Sequence, residues 1–117
     1  MSRDKEVLVQ MQRISCGPCQ IGQPAIEGWH QDGKEMVGIL CLARHNITGG
    51  ISKLKISIDQ PEIMSETLQP EEMIIFDDKK VFHYATPIEP KNSNGNGHRD
   101  VLLISTPSSR LNVSEKV

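Results

Sequence analysis

The residues Met36-Val37-Gly38-Ile39-Leu40-Cys41-Leu42-Ala43 form one continuous apolar run between polar loops. Eight residues are too short for an ordinary helix and match a strand, so the run reads as a strand buried on both faces. A sheet with such a strand at its centre needs partners, and the chain supplies them as short β-like pieces. Val7 to Cys16 alternates, with Val7, Val9 and Met11 against Leu8, Gln10 and Gln12. Ile51 to Ile58 alternates imperfectly. Met73 to Phe76 is a short strand ending in a turn at Asp77-Asp78. Val81 to Ile88 is a strand stopped by Pro87 and Pro90, and Arg99 to Thr106 is the last strand.

The joints carry turn chemistry. Gly17-Pro18 through Gly22 to Pro24 breaks regular structure. Ile26 to Asp32 reads as extended, punctuated by Gly28 and Gly33. Asn46-Ile47-Thr48-Gly49-Gly50 reads as a turn, and Lys91 to His98 as a flexible polar loop. Asp59 to Glu72, with Pro61 and Pro70, accommodates a helical turn or an edge strand. Pro107-Ser108-Ser109 ends the last strand, and the tail to Val117 is expected to fray. Short strands at regular spacing with no amphipathic helix predict an all-β sandwich or jelly roll.

A chain of 117 residues suggests one domain. The formal net charge of −2 and the scarcity of aromatic side chains argue against nucleic acid as a partner. No apolar run approaches the roughly 20 residues that cross a membrane. The charged N-terminus, Met1 to Glu6, has no signal-peptide pattern after it, so the expected compartment is the cytoplasm. Three cysteines do not form a disulfide framework. Asn46-Ile47-Thr48 and Asn112-Val113-Ser114 match the glycosylation pattern by chance on this reading.

Several residue sets invite a chemical reading. Cys16-Gly17-Pro18-Cys19 has redox-pair spacing, but the residues after it make a poor helix, and that chemistry needs a helix N-terminus. Zinc binding by this pair with His30 or Cys41 lacks a second closely spaced ligand pair. Two loop thiols and a core Cys41 are the favoured reading. His98-Arg99-Asp100 resembles a kinase tripeptide, but Ser105 stands where that motif needs Asn. His45 reads as a solvated loop residue.

Trp29-His30-Gln31-Asp32-Gly33 is different. On an extended segment, His30 and Asp32 share a face. They would supply two members of the two-histidine, one-carboxylate set that holds non-haem Fe(II) and leaves positions open. His83, between apolar neighbours on a later strand, is the candidate third ligand; a hydrogen-bonded core histidine is the alternative. A 2-oxo acid chelating such a metal needs a bidentate donor for its far carboxylate, and Arg99 at the start of the last strand suits that task.

Four stretches, Glu27 to Gly33, Asn46 to Ser52, Phe76 to Ile88 and Gly97 to Ile104, together resemble the 2-oxoglutarate–Fe(II) dioxygenases that include bacterial hydroxylases of free aliphatic amino acids such as L-isoleucine. The resemblance spans roughly Leu8 to Thr106. It implies a double-stranded β-helix (jelly roll) core over 1–106 with a C-terminal tail over 107–117. It implies metal ligands His30, Asp32 and His83, with Arg99 on the C5 carboxylate of 2-oxoglutarate. Fe(II), 2-oxoglutarate and O2 would then hydroxylate an aliphatic C–H of a free L-amino acid, releasing succinate and CO2. The implied partner is a small molecule, with no nucleic acid or membrane, and a homo-oligomer is compatible with it.

Two features depart from the family pattern. Val101 stands where many members have a Ser or Thr that shares the carboxylate, leaving Tyr84, Thr86 or Ser52 to do so. The chain also begins almost at the first core strand, where members usually carry a helical N-terminal region bracing the sheet. Its lack would expose an apolar sheet face. A non-catalytic remnant acting as a binding module, and a cupin-like metal enzyme that does not use 2-oxoglutarate, are the competing readings.

Overall fold

The computed structural model describes residues 6–107. The segment to Lys5, the tail beyond Pro107 and the Asn112-Val113-Ser114 pattern lie outside the described residues. Nine strands follow in order: β1 (Leu8–Cys16), β2 (Lys34–His45), β3 (Ile47–Gly49), β4 (Ser52–Lys55), β5 (Glu62–Glu66), β6 (Met73–Asp77), β7 (Phe82–Ala85), β8 (Ile88–Pro90) and β9 (Gly97–Pro107). No helix occurs among the described residues, so none there is long and apolar enough to cross a membrane. The fold is an all-β jelly roll.

The larger sheet has the order β1-β9-β2-β6, and a smaller one has β5-β4-β7. The pair β3-β8 forms a third, two-stranded piece. Every pairing is antiparallel. The last strand, β9, lies between β1 and β2, so the two ends of the fold meet in one sheet. Val37, Ile39, Cys41, Phe76 and Val101 of the larger sheet pack with Leu54 and Leu68. Burying side chains of this size contributes roughly 1.5–3 kcal/mol each. A second cluster joins Ile47 of β3 and Ile88 of β8 to Cys16 at the end of β1.

The apolar run is indeed a strand, but it is not buried equally on both faces. Val37, Ile39 and Cys41 face the core, whereas Leu42 is 41% exposed. The outer face of the larger sheet continues with exposed Val9, Met11, Met73 and Ile75. A run of apolar residues therefore marks a strand here without marking two covered faces.

Two joints differ from expectation. Ile47–Gly49 is a strand rather than part of a turn, because Asn46 takes a positive φ of 50° and turns the chain from β2 into β3. The same Asn46 side chain accepts from Asn92 N–H at 2.7 Å and donates to the carbonyls of Asn92 and Asn96. The Asn/Gly loop is thus tied down at its base. Val81 to Ile88 is two strands, β7 and β8, belonging to different sheets, with Pro87 between them. Asp59 to Glu72 contributes the edge strand β5.

Candidate metal centre

His30 and Asp32 lie in the connection between β1 and β2, not on a strand as the extended reading of Ile26 to Asp32 supposed. Only His30 of that segment pairs regularly, and it pairs with His83. His30 N–H donates to the His83 carbonyl at 3.0 Å, and His83 N–H donates back at 2.9 Å. This isolated bridge sews the loop onto β7. It sets the two imidazoles side by side, with ring centroids 4.1 Å apart.

Asp32 then folds between them. Its carboxylate oxygens lie 3.4 Å from His30 Nε2 and 3.2 Å from His83 Nε2. One donor atom from each of the three residues lies within 4.8 Å of the others, a set able to hold a metal ion. The hydrogen bond from His83 holds the Asp32 carboxyl below the usual carboxylate range; burial opposes that shift, and the charges of His83, His30 and Lys34 assist it. The carboxylate is therefore ready as a ligand at neutral pH.

The two imidazoles are oriented differently. His30 Nδ1 is 2.7 Å from the Gly28 carbonyl. A carbonyl only accepts, so Nδ1 carries a proton and Nε2 is the nitrogen that faces Asp32. His83 is 8% exposed, on β7, with the Phe76 ring centroid 4.9 Å away. Its Nδ1 is buried and has no hydrogen-bond partner.

Asp78 is a residue that sequence reasoning missed, taking it only as part of a turn. It is buried, and its carboxylate accepts from Asp32 N–H at 2.9 Å and Lys34 N–H at 2.8 Å. It pins both ends of the Asp32 turn to the end of β6. The local signal was only a second aspartate after Asp77. What buries it is the loop carrying His30 and Asp32.

Arg99 rises from β9 into the same cavity of about 490 Å³, which His30, Asp32, His83, Ser52 and Tyr84 also line. Arg99 as a whole is 3% exposed. It donates from Nη2 to Ser52 Oγ at 3.4 Å, its Nε has no partner, and it makes no salt bridge among the described residues. Burial pushes its pKa down; the Cys41 thiol opposes this, and neighbouring Arg44 adds to it. An arginine still stays protonated, so the cavity holds a desolvated cation awaiting an anion.

The surrounding backbone fits closely around this side chain. A β-bulge between Cys41 and Ala43 sets Arg44 opposite Arg99, and Arg44 Nη2 donates to the Gly49 carbonyl at 3.0 Å. Gly49 and Gly50 both have positive φ. A Cβ on Gly49 would lie 2.0 Å from the Pro87 carbonyl oxygen, and one on Gly50 would lie 3.0 Å from Arg99 Cδ. The glycine pair therefore serves a close approach and not merely a turn.

Of the three candidate companions for Arg99, Ser52 touches it. Tyr84 lines the cavity and packs on Trp29 at 5.5 Å. Thr86 instead accepts from Ile51 N–H at 2.9 Å. Val101 is a buried wall residue. The remaining sets stay apart: Cys16 and Cys41 are buried, Cys19 is exposed, all three are free thiols, and among the described residues none joins a metal-binding cluster. His45 is not a loop residue but the end of β2, its ring 5.3 Å from that of His98.

The family model described as 2OG-Fe dioxygenase matches residues 1–105. The chain belongs to the 2OG-Fe dioxygenase family. Fe(II), 2-oxoglutarate and O2 are the reagents this family uses. Among solved structures, IDO from Bacillus thuringiensis is similar with a TM-score of 0.79 and 21% identity, over 92% of this chain and 51% of that one. A bsmA homolog from Methylobium petroleophilum PM1 gives 0.71 and 24% identity, over 86% of this chain and 41% of that one. The Fe(II)/(alpha)ketoglutarate-dependent dioxygenase TqaL gives 0.67 and 14% identity, over 86% and 42%. These likenesses establish a shared fold, and this chain spans about half the length of those solved chains or less. No curated protein matches the chain.

Proposed function

We propose that residues 1–106 are the jelly-roll core of an Fe(II)- and 2-oxoglutarate-dependent hydroxylase of a free aliphatic L-amino acid, with 107–117 as its tail. The observation that carries this reading is the single cavity shared by His30, Asp32, His83 and the unpaired Arg99. The donor set fits Fe(II): two imidazoles and one carboxylate, with positions left for a chelating co-substrate. The orphaned Arg99 Nε fits the far carboxylate of 2-oxoglutarate.

In this reading His30, Asp32 and His83 hold the metal, which with 2-oxoglutarate and O2 supplies the oxidising power that places a hydroxyl group on a C–H bond. His30 presents Nε2 because the Gly28 carbonyl keeps its proton on Nδ1. Asp32 stays ionised beside His83. Arg99 and Ser52 fix the distal carboxylate at the base of the cavity. Val37, Ile39, Val101 and Leu103 form an apolar wall that excludes water from the reacting centre. Tyr84, packed on Trp29, lines the same cavity.

The amino-acid substrate rests on the sequence resemblance, and the cavity is compatible with a small molecule. Purified protein given Fe(II), ascorbate and 2-oxoglutarate is expected to form succinate when an aliphatic L-amino acid is added, with a hydroxylated product. Succinate formation that no amino acid stimulates would remove the substrate assignment. A protein that binds metal and 2-oxoglutarate but makes no succinate would instead be a binding module, and one whose turnover survives Arg99→Ala would not use 2-oxoglutarate.

A further inference from the structure

We infer that Asp78 is a positioning residue for the metal centre: with a metal on His83 Nε2, its carboxylate accepts a hydrogen bond from His83 Nδ1–H and so holds the ring in the ligating tautomer. This rests on the metal-site reading proposed above and adds a fourth residue to it.

The two histidines are not held alike. Each neutral imidazole has one N–H and one bare nitrogen. If Nε2 is to ligate, Nδ1 must hold the proton and needs an acceptor. For His30 that acceptor is present, the Gly28 carbonyl at 2.7 Å. For His83 it is not within bonding distance, and Nδ1 is a buried atom without a partner. The charged oxygen facing it is Asp78 Oδ1 at 3.7 Å, on a side chain that is 0% exposed. An approach of under about 1 Å brings this pair to hydrogen-bond length.

The rest of Asp78 is committed to the same site. It accepts from the backbone N–H of Asp32 at 2.9 and 3.2 Å and of Lys34 at 2.8 Å. One buried carboxylate thus touches the backbone of one candidate ligand and faces the ring of another. Burying a carboxylate with only backbone donors is costly. A role at the metal centre accounts for a carboxylate here where an amide would bind the same backbone groups through its oxygen.

The test uses Zn(II) as a redox-silent probe, with wild-type protein, Asp78→Asn and His30→Ala. Zn(II) affinity is read by calorimetry, the stability of the metal-free proteins by thermal melting, and the His83 tautomer by nitrogen NMR of the zinc-loaded wild type. The expected result is a protonated, slowly exchanging His83 Nδ1 in the zinc complex. Zn(II) affinity is expected to weaken roughly 10- to 100-fold in Asp78→Asn, the usual effect of losing such a partner.

A wild-type zinc complex with the proton on His83 Nε2 would overturn the inference, and this readout needs no variant to fold. An Asp78→Asn protein that melts earlier but binds Zn(II) as wild type does would show that Asp78 only holds the loop. Zn(II) binding that His30→Ala leaves unchanged would remove the metal-site reading itself, and the role of Asp78 with it.

Discussion

Replacing Arg99 by methionine should make the metal-free protein more stable while destroying its grip on 2-oxoglutarate. Arg99 is 3% exposed, and its guanidinium donates one long hydrogen bond, to Ser52 Oγ at 3.4 Å. No carboxylate among the described residues offsets the cost of taking its charge out of water. Exchanging a poorly compensated buried charge for a straight apolar side chain is expected to gain about 1–3 kcal/mol. For a chain of this length, about 4 °C in Tm accompanies each kcal/mol. Thermal and urea unfolding of the metal-free proteins measure this.

The same change removes the partner of a buried carboxylate in the ligand complex, a loss of about 2–5 kcal/mol, or roughly 30- to 4,000-fold in Kd. Calorimetry with 2-oxoglutarate on the Mn(II)-loaded protein under nitrogen reads it. A variant destabilised by more than about 1 kcal/mol would show that Arg99 serves the fold. An unchanged Kd would show that the anion binds elsewhere.

Three other outcomes are expected. Gly50→Ala puts a Cβ 3.0 Å from Arg99 Cδ and 3.3 Å from its Nε, at a φ of +65°. It should weaken 2-oxoglutarate about tenfold or more while leaving Zn(II) affinity unchanged, given that side-chain misplacement in a fitted site is felt strongly; equal loss of both would point to general unfolding. Ile88→Ala empties a fully buried position on β8 and should cost about 2–5 kcal/mol in urea unfolding, against which a loss below about 1 kcal/mol would count. Asp100 is held below the usual carboxylate range chiefly by its hydrogen bonds from Arg13, at 2.8 Å to each oxygen. The stabilisation from a lowered carboxyl pKa is present at neutral pH and disappears as pH falls through the folded-state value. Asp100→Asn should therefore be less stable than wild type at pH 7, with the gap closing below about pH 4. A gap independent of pH would contradict the ion-pair account.

Much of this architecture was legible because alternation and apolar runs are local signals. Val7 to Cys16, the run from Met36 and Met73 to Phe76 each appear as strands near where the sequence suggested. What a single segment cannot encode is its neighbour. Val81 to Ile88 looks like one strand, yet β7 and β8 pair with β4 and β3 in different sheets. The H-x-D triplet suggested two side chains on one strand face, whereas the structure gathers them by a two-bond bridge from a loop to β7. Asp78 was illegible for the same reason. Its partners, Asp32 and Lys34, are more than forty residues away in sequence. Arg99 was visible as the cation opening the last strand, but its isolation from any anion is a property of the packed cavity.

A crystal structure of the protein grown under nitrogen with Mn(II) and 2-oxoglutarate would show the occupied site. Mn(II) is expected on His30 Nε2, an Asp32 oxygen and His83 Nε2, with the far carboxylate of 2-oxoglutarate paired to Arg99. Metal held by other residues, or a 2-oxoglutarate that leaves Arg99 unpaired, would contradict it.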